Sequence, residues 1–135
     1  LNSLLVDTVE VNGTEIDFVD MILTVINGNV MIPLRKTSDA LGFELTWDAE
    51  TNSASIDNGE VKTTVQLGLD SYYRASSKAI GLTQAKPLGT SPRLIDDSTY
   101  VPANLFNLLF TSETVSVKDG ILHIDTLKKP IIKED

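Results

Sequence analysis

The sequence predicts an α+β fold, mostly antiparallel β-sheet with two short helices, built as two divergent pseudo-repeats that each read hairpin, strands, helix, hairpin. Three observations carry this. Four Asn-Gly or Asp-Gly pairs, at 12–13, 27–28, 58–59 and 119–120, each lie between β-like runs, and such pairs suit type I′ hairpin turns because both central residues need positive φ. Val61, Thr63, Val65 and Leu67 alternate with Lys62, Thr64 and Gln66, the period of a strand with one buried face. Pro33 and Pro102, 69 residues apart, each follow a short β run and open a stretch that fits a short helix.

In chain order, the turn at Asn12-Gly13 joins residues 6–11 to 14–18, and the turn at 27–28 joins 22–26 to 30–32. Pro33 then suits the first helical position, where its fixed φ is helical and its missing N–H needs no partner. This helix is expected to run to about Leu41 and stop at Gly42, a left-handed cap, with Leu34, Ala40 and Leu41 as a narrow apolar stripe. The third hairpin joins 53–57 to 60–67 through Asn58-Gly59. After Pro102 a second helix spans Ala103 to Phe110 and carries a broader apolar surface of Leu105, Phe106, Leu108, Leu109 and Phe110. Asp119-Gly120 closes the last hairpin, 115–118 with 121–125.

Shifting the chain by 69 sets Met31 on Tyr100, Ile32 on Val101, Pro33 on Pro102 and Leu41 on Phe110. After one inserted residue, Leu45-Thr46-Trp47 falls on Val115-Ser116-Val117. Upstream, a shift of 64 sets residues 11–16 against 75–80, which leaves the second half an expanded loop at 83–92. Duplication with divergence accounts for the pattern. It divides residues 1–127 into one compact domain of two halves, about 6–67 and 70–126, with 128–135 as a tail or linker.

The composition limits function. A chain of 135 residues can bury roughly two thirds of its unfolded surface and fold alone. Its net charge of −8, with scattered Lys and Arg, disfavours nucleic acid and anionic membrane surfaces. The absence of cysteine removes disulfides, thiolate nucleophiles and zinc ribbons. No apolar run approaches the roughly 20 residues of a bilayer span, and residues 1–6 are too short for a signal peptide.

The motifs bear a family likeness. Residues 11–16 read VNGTEI, 26–35 read INGNVMIPLR, 39–42 read DALG and 45–48 read LTWD. This pattern resembles the copper amine oxidase N-terminal-like, or stalk, domain family over almost all of residues 6–125, with Asn12, Gly13, Pro33, Arg35, Gly42, Trp47, Asp48 and Pro102 as its structural motif residues. The second half departs from it: Asn104 replaces the Arg, Thr111 the Gly, and at the unbroken shift Ser116 stands where the Trp would be. The resemblance implies an exported or cell-surface bacterial module, commonly joined to other domains, with no chemistry of its own and no cofactor.

The residues themselves point the same way. His123 is the lone histidine, between Leu122 and Ile124 in an expected strand, and reads as a sheet-face residue. Asp96 and Asp97 offer the hard oxygens calcium prefers, but they occupy the turn position of Asn27-Gly28 and read as turn residues. Asp48 is expected to brace the 48–52 turn. Arg35 lies at a helix start, where the dipole does not favour a cation, and is expected to brace a carboxylate or backbone carbonyls. Trp47, beside alternating Leu45, reads as core filling. Tyr72 and Tyr73, adjacent in an expected strand, point to opposite faces, and with Arg93 they form the candidate ligand or partner surface. No catalytic or metal residues are assigned.

Two function classes follow: a structural or protein-interaction module of a larger secreted or cell-surface protein, and a carbohydrate or peptidoglycan-binding module. The expected partners are other domains of the same parent chain, cell-envelope components, or a second copy in a weak homo-oligomer. A hydrolase has only scattered Ser, Asp, Glu and one His behind it.

Overall fold

The computed structural model describes residues 6–17, 23–110 and 113–126. Parts of the expected elements at Phe18 and Ile22, the position Thr111, and the tail from 128 lie outside the described residues. Twelve strands form among the described residues: β1 (Thr8–Val11), β2 (Thr14–Glu15), β3 (Thr24–Ile26), β4 (Asn29–Pro33), β5 (Glu44–Asp48), β6 (Ser53–Asp57), β7 (Val61–Gln66), β8 (Ala75–Ser76), β9 (Arg93–Ile95), β10 (Ser98–Pro102), β11 (Val115–Lys118) and β12 (Ile121–Ile124), with helices α1 (Leu34–Leu41) and α2 (Leu105–Leu109). They make three four-stranded sheets, ordered β11-β12-β1-β2, β3-β4-β10-β9 and β5-β6-β7-β8.

Three of the four dipeptide turns adopt the expected geometry. Asn12, Asn27 and Asp119 have φ of 52°, 53° and 56°, each followed by a glycine at positive φ. The fourth is shifted by one residue. Asn58 donates its N–H to Val61 O at 3.2 Å and Asp57 stands opposite Lys62, so the two-residue loop is Gly59-Glu60. Of those two only Gly59 has positive φ, the demand of a type II′ turn. The Asn58 side chain explains the slip, since its Oδ1 accepts from the N–H groups of both Glu60 and Val61.

The prolines end strands rather than begin helices, a correction to the expectation. Pro33 has φ −67° and ψ 125°, pairs with Tyr100 across the sheet, and Leu34 is the first helical residue. Fixed φ near −65° suits extended chain as well as helix, so ψ decides. Pro102 likewise closes β10, and α2 starts only at Leu105. Gly42 caps α1 at φ 82°, as expected. The inward face of α1 is Leu34, Thr37 and Ser38, spaced i, i+3 and i+4, while Ala40 is exposed. Among the described residues the buried Thr37 and Ser38 hydroxyls find no hydrogen-bond partner.

The repeat appears in the central sheet as a local two-fold axis. Met31 faces Pro102, Ile32 faces Val101 and Pro33 faces Tyr100. These are the residues the 69-residue shift superposes, paired in reverse, so the axis passes between Ile32 and Val101. After each helix an antiparallel hairpin follows, β5-β6 in the first half and β11-β12 in the second. The next strand in each sheet pairs differently. β6 and β7 are antiparallel because a two-residue loop joins them, whereas β1 and β12, far apart in sequence, pair parallel.

One core joins the sheets and helices. Val9, Ile32, Val101, Leu105, Phe106, Leu122 and Ile124 are fully buried within it. Phe43, just past α1, meets Phe106 and Phe110 edge-on at 6.3 and 5.9 Å between ring centroids, which ties the two helices together. Thr63 and Val65 bear out the alternation of β7.

Candidate functional site

A cleft of about 550 Å³ lies between α1, the β5 edge of its sheet, and the β9–β10 turn from the other half. Its size is that of small-molecule and side-chain pockets. Leu45 and Trp47, two apart on β5, line one wall, and the first turn of α1 supplies Leu34, Arg35 and Lys36. Leu94 and Asp97 close the far side. Trp47 stands opposite Ala54 on β6, and that small side chain leaves room beside the indole.

Trp47 therefore does not fill the core. It is 41% exposed, because β5 is an edge strand and its cleft-side face is left uncovered next to the strand end. Leu94, on the other edge strand of the cleft, is 55% exposed. Arg35 is also a correction. Its side chain is exposed at the cleft mouth, with no hydrogen bond or ion pair holding it among the described residues, so it braces nothing there. Asp48 behaves as expected, with Oδ1 accepting the Glu50 N–H at 3.0 Å.

Asp96 and Asp97 form the turn at the rim, with φ of 51° and 67° and Ile95 opposite Ser98, which is the turn reading. Among the described residues no group of three or more His, Cys, Asp or Glu is placed to hold a metal ion.

The tyrosine surface does not assemble. Tyr72 and Tyr73 lie outside the named strands, and Tyr72 makes only an isolated bridge to Lys86. Tyr72 is fully buried and donates its hydroxyl to Thr90 O at 2.7 Å. Burial, with the Asp70 carboxylate nearby, pushes that phenol well above its ordinary range. Tyr73 is half-buried over a separate depression with Asp57 and Lys62. Arg93 lies exposed on the edge strand β9, its Nη2 donating to Thr90 Oγ1 at 3.2 Å. The expanded loop is pinned rather than open: Asp70 accepts from the N–H groups of Leu88 and Gly89, and Asn29 Nδ2 donates to Leu88 O at 3.1 Å.

His123 has neighbours that spacing could not show. Ser116, His123 and Glu10 stand directly opposite one another on β11, β12 and β1, so they share a face. His123 Nδ1 is 3.6 Å from Glu10 Oε1, and no hydrogen bond links Ser116 to the imidazole. The row lacks the serine–base contact that activates a nucleophile.

The cleft was not legible as a site. The signal was there, since VMIPLR and LTWD supply both its walls, but nothing in spacing shows that the Trp faces outward.

A sequence model of the family described as the copper amine oxidase N-terminal domain matches residues 10–115. Among curated proteins the chain is similar to one named "Protease inhibitor" from Brevibacillus choshinensis, 31% identical over 96 residues that cover 71% of this chain and 27% of the relative. The chain thus spans about a quarter of that relative's length. No solved structure matches it.

Proposed function

We propose that this chain, which belongs to the copper amine oxidase N-terminal domain family, is a non-catalytic module that binds a partner protein through the α1–β5 cleft, outside the cell and within a longer exported bacterial protein. The family is that of a non-catalytic N-terminal domain. One observation carries the rest of the reading: Trp47 stands half-exposed over an apolar floor with the uncommitted Arg35 guanidinium at the mouth. Trp and Arg beside a desolvated pocket are the side chains that dominate protein interfaces. The relative named as a protease inhibitor acts, by that name, on another protein, which supports a protein occupant here.

Stacking on sugar rings by Trp47 together with Tyr72 and Tyr73 would need these rings on one surface. Tyr72 is buried and Tyr73 lies over a different depression, so Trp47 is the one aromatic side chain lining the cleft, which favours a protein ligand over a glycan.

Trp47 is the sole tryptophan, so its emission reports directly on the cleft. Displayed peptides with apolar anchors, and separately peptidoglycan fragments and a glycan panel, are titrated against the protein. The expected result is a blue shift with peptides and, by titration calorimetry of both proteins because the variant has no tryptophan emission, a loss of about tenfold in affinity, about 1.4 kcal/mol, for Trp47→Ala. Retention on glycans alone, with peptides leaving the emission unchanged, would overturn the protein-binding reading.

A further inference from the structure

The cleft has a complement on the same chain. Ile80 is fully exposed and Leu82 is 70% exposed, both on the loop that follows β8. The neck of this loop is closed by Ser76 N–H to Gly81 O at 3.1 Å and Thr83 N–H to Arg74 O at 2.8 Å. Inside it, Ser76 Oγ accepts from the N–H groups of Lys78 and Ala79. Ser77 Oγ donates to Asp57 Oδ1 at 2.6 Å, and Lys78 Nζ pairs with Glu60 Oε2 at 2.7 Å. Ile80 thus projects from the tip and Leu82 from the bridged neck of a loop that is ordered before any contact forms, which lowers the entropy lost on docking.

Topology sets this knob and the cleft at opposite edges of one sheet. In the order β5-β6-β7-β8, the cleft opens beside β5 and the knob hangs from β8. Three strand spacings of ~4.8 Å separate them, about 14 Å. The braced neck holds the knob away from its own cleft, so the two can meet only between molecules.

We infer that the α1–β5 cleft receives the Ile80–Leu82 knob of a second copy of this chain, joining copies head to tail along the direction from β5 to β8. The inference rests on the cleft being a protein-binding site. The chemistry of the two surfaces matches. The cleft offers Leu45, Trp47 and Leu94 as an apolar lining, with Arg35, Lys36 and Asp39 on the α1 side and Asp97 on the other, charges of both signs as on the knob. The knob carries aliphatic side chains with Lys78 and Glu60 at its base. That ion pair is about two-thirds exposed, so exchanging it for pairs across the contact loses little. The contact joins two different patches and is heterologous, so it does not close at two copies. A net charge of −8 on every copy opposes it, which makes the association weak and strengthened by salt.

The experiment is analytical ultracentrifugation of the full chain over a concentration series at low and high salt, with Trp47 emission read in parallel. The expected result is a weight-average mass that climbs past the dimer with concentration, more steeply in salt, together with a blue shift. Ile80→Asp and Leu94→Asp, both at exposed positions, each abolish self-association. Mixed in equal amounts they form a dimer and nothing larger, because each keeps one intact surface. A wild-type chain that stays monomeric at millimolar concentration, an Ile80→Asp variant that still self-associates, or a mixture that fails to pair overturns the inference. Monomer throughout with peptides still shifting Trp47 emission sinks self-association and leaves the cleft reading standing; emission unmoved by either sinks both.

Discussion

Tyr72→Phe removes one oxygen from the interior and leaves the ring in place. The ring is fully buried in the core, and the hydroxyl donates to Thr90 O at 2.7 Å. A neutral hydrogen bond contributes about 1 kcal/mol net, and a buried carbonyl left without a donor costs about 1–3 kcal/mol, so a loss near 1.5–2 kcal/mol is expected at neutral pH. With a urea m-value of about 1.5–2 kcal/mol/M for this size, the midpoint falls by about 1 M at unchanged slope. The pH dependence tests the same bond independently. Tyr72 is held protonated well above the ordinary phenol range, chiefly by burial. The unfolded chain therefore releases this proton from about pH 10 upward while the folded chain keeps it, and stability falls as pH rises. Phe has no proton to release, so the gap between wild type and variant narrows above about pH 10. A loss below about 0.5 kcal/mol at pH 7 would refute the hydrogen-bond reasoning. A gap independent of alkaline pH would refute the burial argument.

Three further outcomes are expected. Asp97→Gly relieves a non-glycine residue at φ 67° in the place where the other half has Gly28, so thermal unfolding should show a gain of about 0.5–1 kcal/mol after the added chain entropy of glycine is counted; a loss would contradict it. Thr37→Val replaces a buried hydroxyl without a partner by an isosteric methyl, and chemical denaturation should find it neutral or stabilising by up to about 1 kcal/mol. Asp57 accepts from Ser77 Oγ and Gly59 N–H, the first being the larger cause of its lowered pKa. Its contribution to stability is present above the ordinary carboxylate pKa and is lost as pH falls through the lower folded value. Carboxyl NMR titration of Ser77→Ala should show the Asp57 midpoint moving upward, and an unmoved midpoint would count against that hydrogen bond.

Much of the fold was legible because it rests on local chemistry. The Asn-Gly and Asp-Gly turns, the left-handed cap at Gly42, the alternation of β7 and the brace at Asp48 all depend on residues within a few positions of one another. The misreadings share another cause. Pro33 and Pro102 satisfy strand and helix equally through φ, and pairing of β4 with β10 decided between them. Thr37 and Ser38 entered the core in place of Ala40 because the rotation of α1 about its axis is set by what packs beneath it. Asn58 moved a turn by one residue through its own side-chain bonds.

The candidate site was the least legible part. Trp47 and Leu45 alternate as core residues do, and no spacing rule states whether the face they share is covered. That depends on β5 being an edge and on Leu94 and Asp97 arriving from the other half across the two-fold axis. Tyr72 and Tyr73 show the converse, since the strand expected to hold them did not form and only packing decided that Tyr72 is buried. The sequence by itself determined where the chain turns, which stretches pair locally, and that two related halves exist, because backbone φ preferences and side-chain periodicity act over a few residues. Only the tertiary structure decided which faces are buried, because burial is settled by the partner surface, and for Trp47 that surface lies some fifty residues further along the chain.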